Sequence, residues 1–328
     1  MMRTVSLAEA SRFWLRLGLV SFGGPAGQIA LLHRELVERR RWLSERRYLH
    51  ALNYCMVLPG PEATQLATYL GWLMHGPVGG LIAGGLFLAP SVLVLIGLAT
   101  LYALGGQLPL LASVFWALKP AVLAIVLQAA WRVGRRTLHH PALVLVAAGA
   151  FVGLALLRLP YPLIVAGAAL LGLGLGRWRP RWIQRPPAPA PSSDSTVDEA
   201  VDCTAESALP QAIHGDHTPT PPHARPSRRR LAITLLAWGL ATLVPLALLT
   251  GAFGSEGLLP TMARFFSRVA LVSFGGAYAV LPYVAQASVE QFGWLSAGQV
   301  VDGLALGETT PGPLIMVLAF VGFMGGWN

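Results

Sequence analysis

The chain alternates long apolar runs with short breaks at a few fixed places. Val78–Tyr102, Leu110–Trp131 and Leu231–Gly251 are almost free of charge. Each has the roughly 20 apolar residues a helix needs to cross a hydrocarbon core of about 30 Å. Pro141–Gly176 is a 36-residue apolar stretch interrupted at Arg158-Leu-Pro-Tyr-Pro162. Because proline stops a helix and restricts the residue before it, this stretch predicts two short helices and a tight turn. Four further apolar segments are broken internally: Arg12–Leu32 at Ser21-Phe-Gly-Gly-Pro25, Leu49–Met74 at Pro59-Gly-Pro61, Arg264–Ala287 at Ser273-Phe-Gly-Gly276, and Val300–Trp327 at Pro311-Gly-Pro313. Residues 177–230 are rich in Pro, Ser, Asp, His and Thr and have no periodicity, which predicts a disordered linker. The expected organisation is an N-terminal domain over 1–176, the linker over 177–230, and a second, incomplete repeat over 231–328.

The breaks recur in register. Arg12-Phe-x-x-Arg-x-x-Leu-Val-Ser-Phe-Gly-Gly24 returns as Arg264-Phe-x-x-Arg-x-x-Leu-Val-Ser-Phe-Gly-Gly276, Trp42-Leu-Ser44 as Trp294-Leu-Ser296, and Pro59-Gly-Pro61 as Pro311-Gly-Pro313. All are displaced by 252 positions, and Arg12–Ala67 matches Arg264–Ala319 at 20 of 56 places without a gap. The matches fall on Arg, Gly, Pro and Trp, which shared apolar composition would not produce. Duplication of one helical unit accounts for them, as in many secondary transporters.

Composition then fixes the class. Of the 328 residues, 54% are hydrophobic and 12% charged, and outside 177–230 the remaining 274 carry 25 charges, about 9%. A soluble domain has about 25%, so this chain predicts an all-α, polytopic integral membrane protein and excludes a soluble enzyme. The net charge of +9 does not point to nucleic acid, because the arginines cluster beside apolar runs as cytoplasmic loops do. His33–Tyr48 has six arginines, whereas its counterpart Ala285–Val300 has no Lys or Arg. By the positive-inside rule the two copies therefore have inverted topology. Five or seven crossings between the loops, both odd counts, give the same answer. The basic stretches at 132–136 and at the linker ends share the first loop's side only if Leu49–Met74 is re-entrant, so broken, re-entrant helices are expected. Two cysteines and eight histidines show no disulfide framework and no metal spacing, so neither cofactor nor metal is expected.

The Pro-Gly-Pro turns carry the chemistry. Pro59 ends a helix, Gly60 allows the turn, and Pro61 suits the first position of the next helix. The following N–H groups cannot be left bare in lipid, and a helix start attracts an anion. Thr64 and Gln65 add side-chain groups in the first turn. The alternative is a kinked helix satisfied by its neighbours, and the second copy, Thr310-Pro311-Gly312-Pro313, weighs against it. Gly23, Gly24, Gly275 and Gly276 permit close approach, either of a ligand or of another helix. Arg16 and Arg268 sit one to two turns before these glycines, and Arg12 and Arg264 one turn further back. Intramembrane arginines suit an oxyanion, though snorkelling to head groups is the competing reading. Glu62 and Glu308 are the acids nearest the turns and candidate carriers of a coupling proton, though Glu62 could instead stabilise its own helix start. No nucleophile–base pair marks a catalytic site.

Phe22-Gly-Gly-Pro25, Leu58-Pro-Gly-Pro-Glu-Ala-Thr-Gln-Leu-Ala-Thr-Tyr-Leu-Gly71 and Gly79-Gly-Leu-Ile-Ala-Gly-Gly-Leu-Phe-Leu-Ala-Pro90 resemble the chromate ion transporter family. Phe274-Gly-Gly276, Leu281-Pro282 and Thr310-Pro-Gly-Pro313 are similar to its second domain. The resemblance implies a multi-pass plasma-membrane carrier with inverted halves and a cytoplasmic linker. It would export chromate, driven by the membrane energy gradient and sensitive to sulfate, and would confer chromate resistance. Sulfate or another oxyanion as substrate, and a truncated, non-transporting scaffold, are the rival expectations. Glu308 stands where the family often has Gln. Helices equivalent to Val78–Gly176 do not follow the second motif, so a truncated second domain, a homo-oligomer or a completing partner is expected.

Overall fold

The computed structural model describes residues 5–22, 24–105, 140–157, 159, 161–178, 212–216, 218–219, 221–224, 227–273 and 277–328, with isolated positions between 113 and 138. Among these residues the regular structure is helical: α1 Leu7–Val20, α2 Gly24–His33, α3 Glu45–Val57, α4 Glu62–Gly105, α5 Pro141–Ala155, α6 Tyr161–Trp178, α7 Arg228–Phe253, α8 Leu258–Val272, α9 Ala277–Gln286, α10 Ala297–Thr309 and α11 Val317–Trp327. Two of them, α4 and α7, are long and apolar enough to cross a membrane. The all-α expectation holds, and the stretch foreseen as two short helices contains α5 and α6, while part of the turn foreseen at 158–162 lies outside the described residues. The chain forms two compact units, one of Met1–Lys119 with Gln211–Asn328 and one of Pro120–Pro210. The candidate site lies wholly in the first.

Each half of the first unit is built on one plan. In the first half α1 ends at Ser21, α2 follows, and a π-helical turn over Arg34–Arg39 leads to Trp42-Leu-Ser44. In the second, α8 ends at Ser273, α9 follows, and a π-helical turn over Ala287–Gln291 leads to Trp294-Leu-Ser296. Even the irregular backbone bonds repeat. Trp42 and Leu43 donate to the Leu36 carbonyl at 2.8 and 3.3 Å, and Trp294 and Leu295 donate to that of Ser288 at the same distances. Ser44 and Ser296 then N-cap α3 and α10, their hydroxyls accepting from the amides of Arg47 and Gln299. A capped serine after an aromatic anchor explains why Trp-Leu-Ser is one of the retained blocks.

After its cap each half runs inward and reverses at Pro-Gly-Pro. Residues 62–74 of α4 return alongside α3, with Tyr54 and Tyr69 in ring contact at 5.5 Å. A break at His75 and Gly76 (φ +68) then starts a second limb over 77–105. Where the two limbs cross, side chains are small, and a Cβ on Gly71 would meet Ala83 at 2.3 Å. The second reversal is just as tight: a Cβ on Gly303 would meet Phe320, and one on Gly307 would meet Val317. The helices flanking Pro59-Gly-Pro61 have 13 residues in α3 and a similar number in the return limb, about 20 Å of rise each. Each is too short to span the bilayer core by itself. In lipid, helices gain little from burying apolar surface against one another, so close approach at small residues supplies the packing.

Part of the segment expected to be a structureless linker is ordered against the first half. Ile213 and His214 donate backbone hydrogen bonds to the carbonyls of Arg41 and Trp42 at 3.0 and 2.9 Å, and the Ser44 amide donates to that of His214 at 3.2 Å. Arg47 donates to the Thr218 carbonyl, and the His223 ring lies 2.9 Å from the Trp72 carbonyl oxygen. A disordered linker is therefore not the state of residues 212–224 that are described. Most of 177–211 lies outside the described residues.

Candidate functional site

The two reversals meet the opposite half. The Gly60 amide donates to the Ser273 carbonyl at 2.6 Å, and the Gly312 amide donates to the Ser21 carbonyl at 2.6 Å. Each Pro-Gly-Pro turn is thus tied to the helix break of the other repeat, by the same atoms, at the same distance. The conformation that exposes these amides needs glycine, since φ is +125° at Gly60 and +114° at Gly312. Sequence spacing indicated that these motifs belong together, but not that they are exchanged between halves.

Between the turns lies a small cavity lined by Pro25, Gln28, Pro61, Glu62, Ala63, Pro313, Leu314 and Ile315. The first residues of both returning helices face it, so two helix starts, each with a partial positive charge and unshared N–H groups, converge there. Its volume is about 10 Å³, room for about one water. The Gln28 side chain is 1% exposed, and neither its Nε2 nor its Oε1 has a hydrogen-bond partner among the described residues. Leaving a buried amide unpaired costs about 1–3 kcal/mol, so the position is held at the expense of stability. Two buried hydroxyls at the second turn share this condition: Ser21 Oγ and Ser91 Oγ make no hydrogen bond among the described residues. Ser91 touches the second turn closely enough that a Cβ on Gly312 would lie 2.3 Å from its Cβ.

The residues singled out from sequence fall into three groups. Pro61, Glu62 and Pro313 line the cavity, with Pro59, Gly60, Pro311 and Gly312 forming its turns. Thr64 and Gln65 are one turn further along α4 and face a second, mostly apolar cavity of about 740 Å³ that also reaches Pro61, Tyr69, Trp72 and Trp238. Gln65 Nε2 donates to the Pro59 carbonyl at 2.5 Å, closing its own turn, while Thr64 Oγ1 is buried without a partner. Thr310 is buried, its hydroxyl 3.4 Å from the Gly307 carbonyl. Gly24 is buried with φ +71°. Gly23, Gly275 and Gly276 lie outside the described residues.

The arginines stand apart from this cavity. Arg16 and Arg268 are exposed and are not among its lining residues, and Arg264 donates to the Ser255 carbonyl, which holds it at the start of its own helix. Glu308 is half-buried near the second turn, also outside the lining. Gln28 and Ser91 were missed by the sequence reading. The available signal was a polar side chain inside each of two apolar runs, which in a membrane invites a functional reading. It was hidden for Gln28 because its repeat counterpart is the apolar Val280.

No group of three or more His, Cys, Asp or Glu able to hold a metal is present among the described residues. The sequence profile described as "Chromate transporter" matches residues 8–173 and 260–328. The chain is 29% identical over 320 residues to a "Probable chromate transport protein" of Synechococcus elongatus, covering 97% of this chain and 69% of that one. It is 30% identical over 321 residues to a "Chromate transport protein" of Pseudomonas aeruginosa (95% and 65%), and 26% identical over 327 residues to one of Cupriavidus metallidurans (98% and 68%). The chain thus spans about two thirds of the length of these relatives. No solved structure matches it.

Proposed function

This chain belongs to the chromate transporter family, and from that premise we propose that it carries a tetrahedral divalent oxyanion, chromate or its isostere sulfate, through the cavity between the two Pro-Gly-Pro turns. The observation that carries the reading is Gln28, a buried amide without a partner, set where two helix starts converge. Neutral donors and helix ends suit a carrier, because they bind an anion without holding it as firmly as guanidinium groups would. The cavity is smaller than an oxyanion, so binding requires the turns to part. The reciprocal amide–carbonyl bonds of Gly60 and Gly312 would break as one inverted half rocks against the other.

Glu62 lines the same cavity, and a carboxylate beside a divalent anion favours a proton on the acid. Transport of the anion is therefore coupled to a proton at Glu62, with Glu308 the second candidate. Export, driven by a membrane potential that is negative inside, follows for an anion that leaves with net negative charge, and resistance to chromate follows from export.

The test is flux of labelled chromate and sulfate in proteoliposomes of the full chain, with and without a pH gradient. Gln28→Leu is expected to lower flux at least about tenfold while thermal stability holds or rises, since the unpaired amide is removed. Unchanged flux in that variant, or in Pro61→Ala, overturns the site. Absence of flux from the wild type overturns the carrier reading itself and favours a non-transporting membrane protein.

A further inference from the structure

A second polar cavity lies in the first half, away from the reversals. It has a volume of about 240 Å³ and is lined by Arg16, Arg34, Arg39 and Arg40, with Glu35 as its one acid. Glu35 pairs with Arg39 at 2.7 Å and approaches Arg40 at 3.9 Å. Arg40 also lies over the Phe13 and Trp42 rings, which fixes its guanidinium in place. Arg16 and Arg34 have no carboxylate partner among the described residues. Glu9 also reaches Arg40, at 4.0 Å, and two carboxylates against four guanidiniums still leave the cavity net positive, a setting that takes a tetrahedral anion through paired N–H donors.

We propose that this cavity holds the phosphate of an anionic phospholipid head group. The rest of the lining, Phe13, Leu17, Val20 and Leu31, is apolar. Val20 of this lining is itself half exposed, so the apolar wall opens onto a surface that an acyl chain would cover. A soluble ion has no use for such a wall beside its charge site, whereas a lipid uses both. The cavity is also one-sided. Of its four arginines only Arg16 recurs, as Arg268, while Arg34, Arg39 and Arg40 align with Gln286, Gln291 and Phe292. A site on one half alone reads a single leaflet, and juxtamembrane basic clusters bind anionic lipid.

The full chain, purified in a neutral detergent, is titrated with phosphatidylglycerol, phosphatidylcholine, inorganic phosphate or sulfate while thermal unfolding is followed. Phosphatidylglycerol is expected to raise Tm by a few degrees and phosphatidylcholine to leave it unchanged. Arg34→Gln should weaken the phosphatidylglycerol effect at least about tenfold in midpoint, with Arg34→Lys retaining most of it because the charge remains. Should Arg34→Gln fail to fold, native mass spectrometry of the wild type compares retention of the two lipids, and equal retention overturns the proposal. Equal stabilisation by inorganic phosphate or sulfate overturns it in favour of a soluble-ion site. A phosphatidylglycerol effect that survives Arg34→Gln overturns it as well. The readout is binding, so failure of the transport reading leaves it standing.

Discussion

The two halves share a backbone plan and differ in what surrounds it. In the first, the segment leading into α3 and α4 is basic and is held down by Ile213, His214, Thr218 and His223. In the second, the equivalent loop is uncharged except for Glu290, and the stacking of Phe292 on Trp294 at 4.3 Å stands where Arg40 covers Trp42. A Cβ on Gly312 would meet Ser91, whereas one on Gly60 would meet only the side chain of Gln65. Duplication supplied the scaffold, and later divergence placed polarity on one half. That asymmetry is what a carrier with two identical gates would lack.

The turns give the largest expected contrast. Gly312→Ala forces a rare φ and presses its Cβ against Ser91, costing about 3–5 kcal/mol in all. Gly60→Ala meets only the end of the Gln65 side chain and should cost about 1–3 kcal/mol. Thermal unfolding in detergent measures both, and equal losses would break the comparison. Adding Ser91→Gly to Gly312→Ala should recover the packing part and leave the strain.

The serine caps come next. Ser296→Ala opens a complete capping box and Ser44→Ala a single bond, each expected to cost about 1 kcal/mol. Only Ser44→Ala also releases Asp216, bonded to its hydroxyl at 2.5 Å, so faster hydrogen exchange over 213–218 should appear in that variant alone. A smaller effect is set by the residue before each Trp-Leu-Ser. Gly293 has φ +63° with open space around its Cβ direction, and Arg41 occupies the same conformation at φ +53°. Gly293→Ala should therefore cost about 1 kcal/mol from backbone strain alone. A larger loss would mean that the space is filled.

The smallest effect concerns pH and only the first half. Burial, followed by the charges of Arg47 and His75, holds the His214 imidazole below its ordinary 6.5. The folded strap therefore favours neutral His214: its contribution is complete above about pH 6.5 and is lost as pH falls through the lowered value. Hydrogen exchange at the Ile213 and His214 amides should accelerate below pH 6.5, and a His214→Gln variant should flatten the dependence. The second half, against which no such strap lies among the described residues, should show no change.

Much of this was legible in the sequence. Apolar runs, the 252-residue offset and the turns at 59–61 and 311–313 follow from composition and from proline and glycine chemistry. These are local properties, fixed by what a backbone can do in lipid. The cavity at Gln28, the unpaired Ser91 and the displacement of Arg16 into a cluster with Arg34 and Arg40 were not legible. Each depends on which segments lie side by side, and that is decided by packing between parts of the chain far apart in sequence. The sequence alone determined that two like turns exist and that their amides need partners. Only the tertiary structure decided that each turn finds its partner in the other repeat, because a buried N–H bonds whichever carbonyl close packing brings within reach.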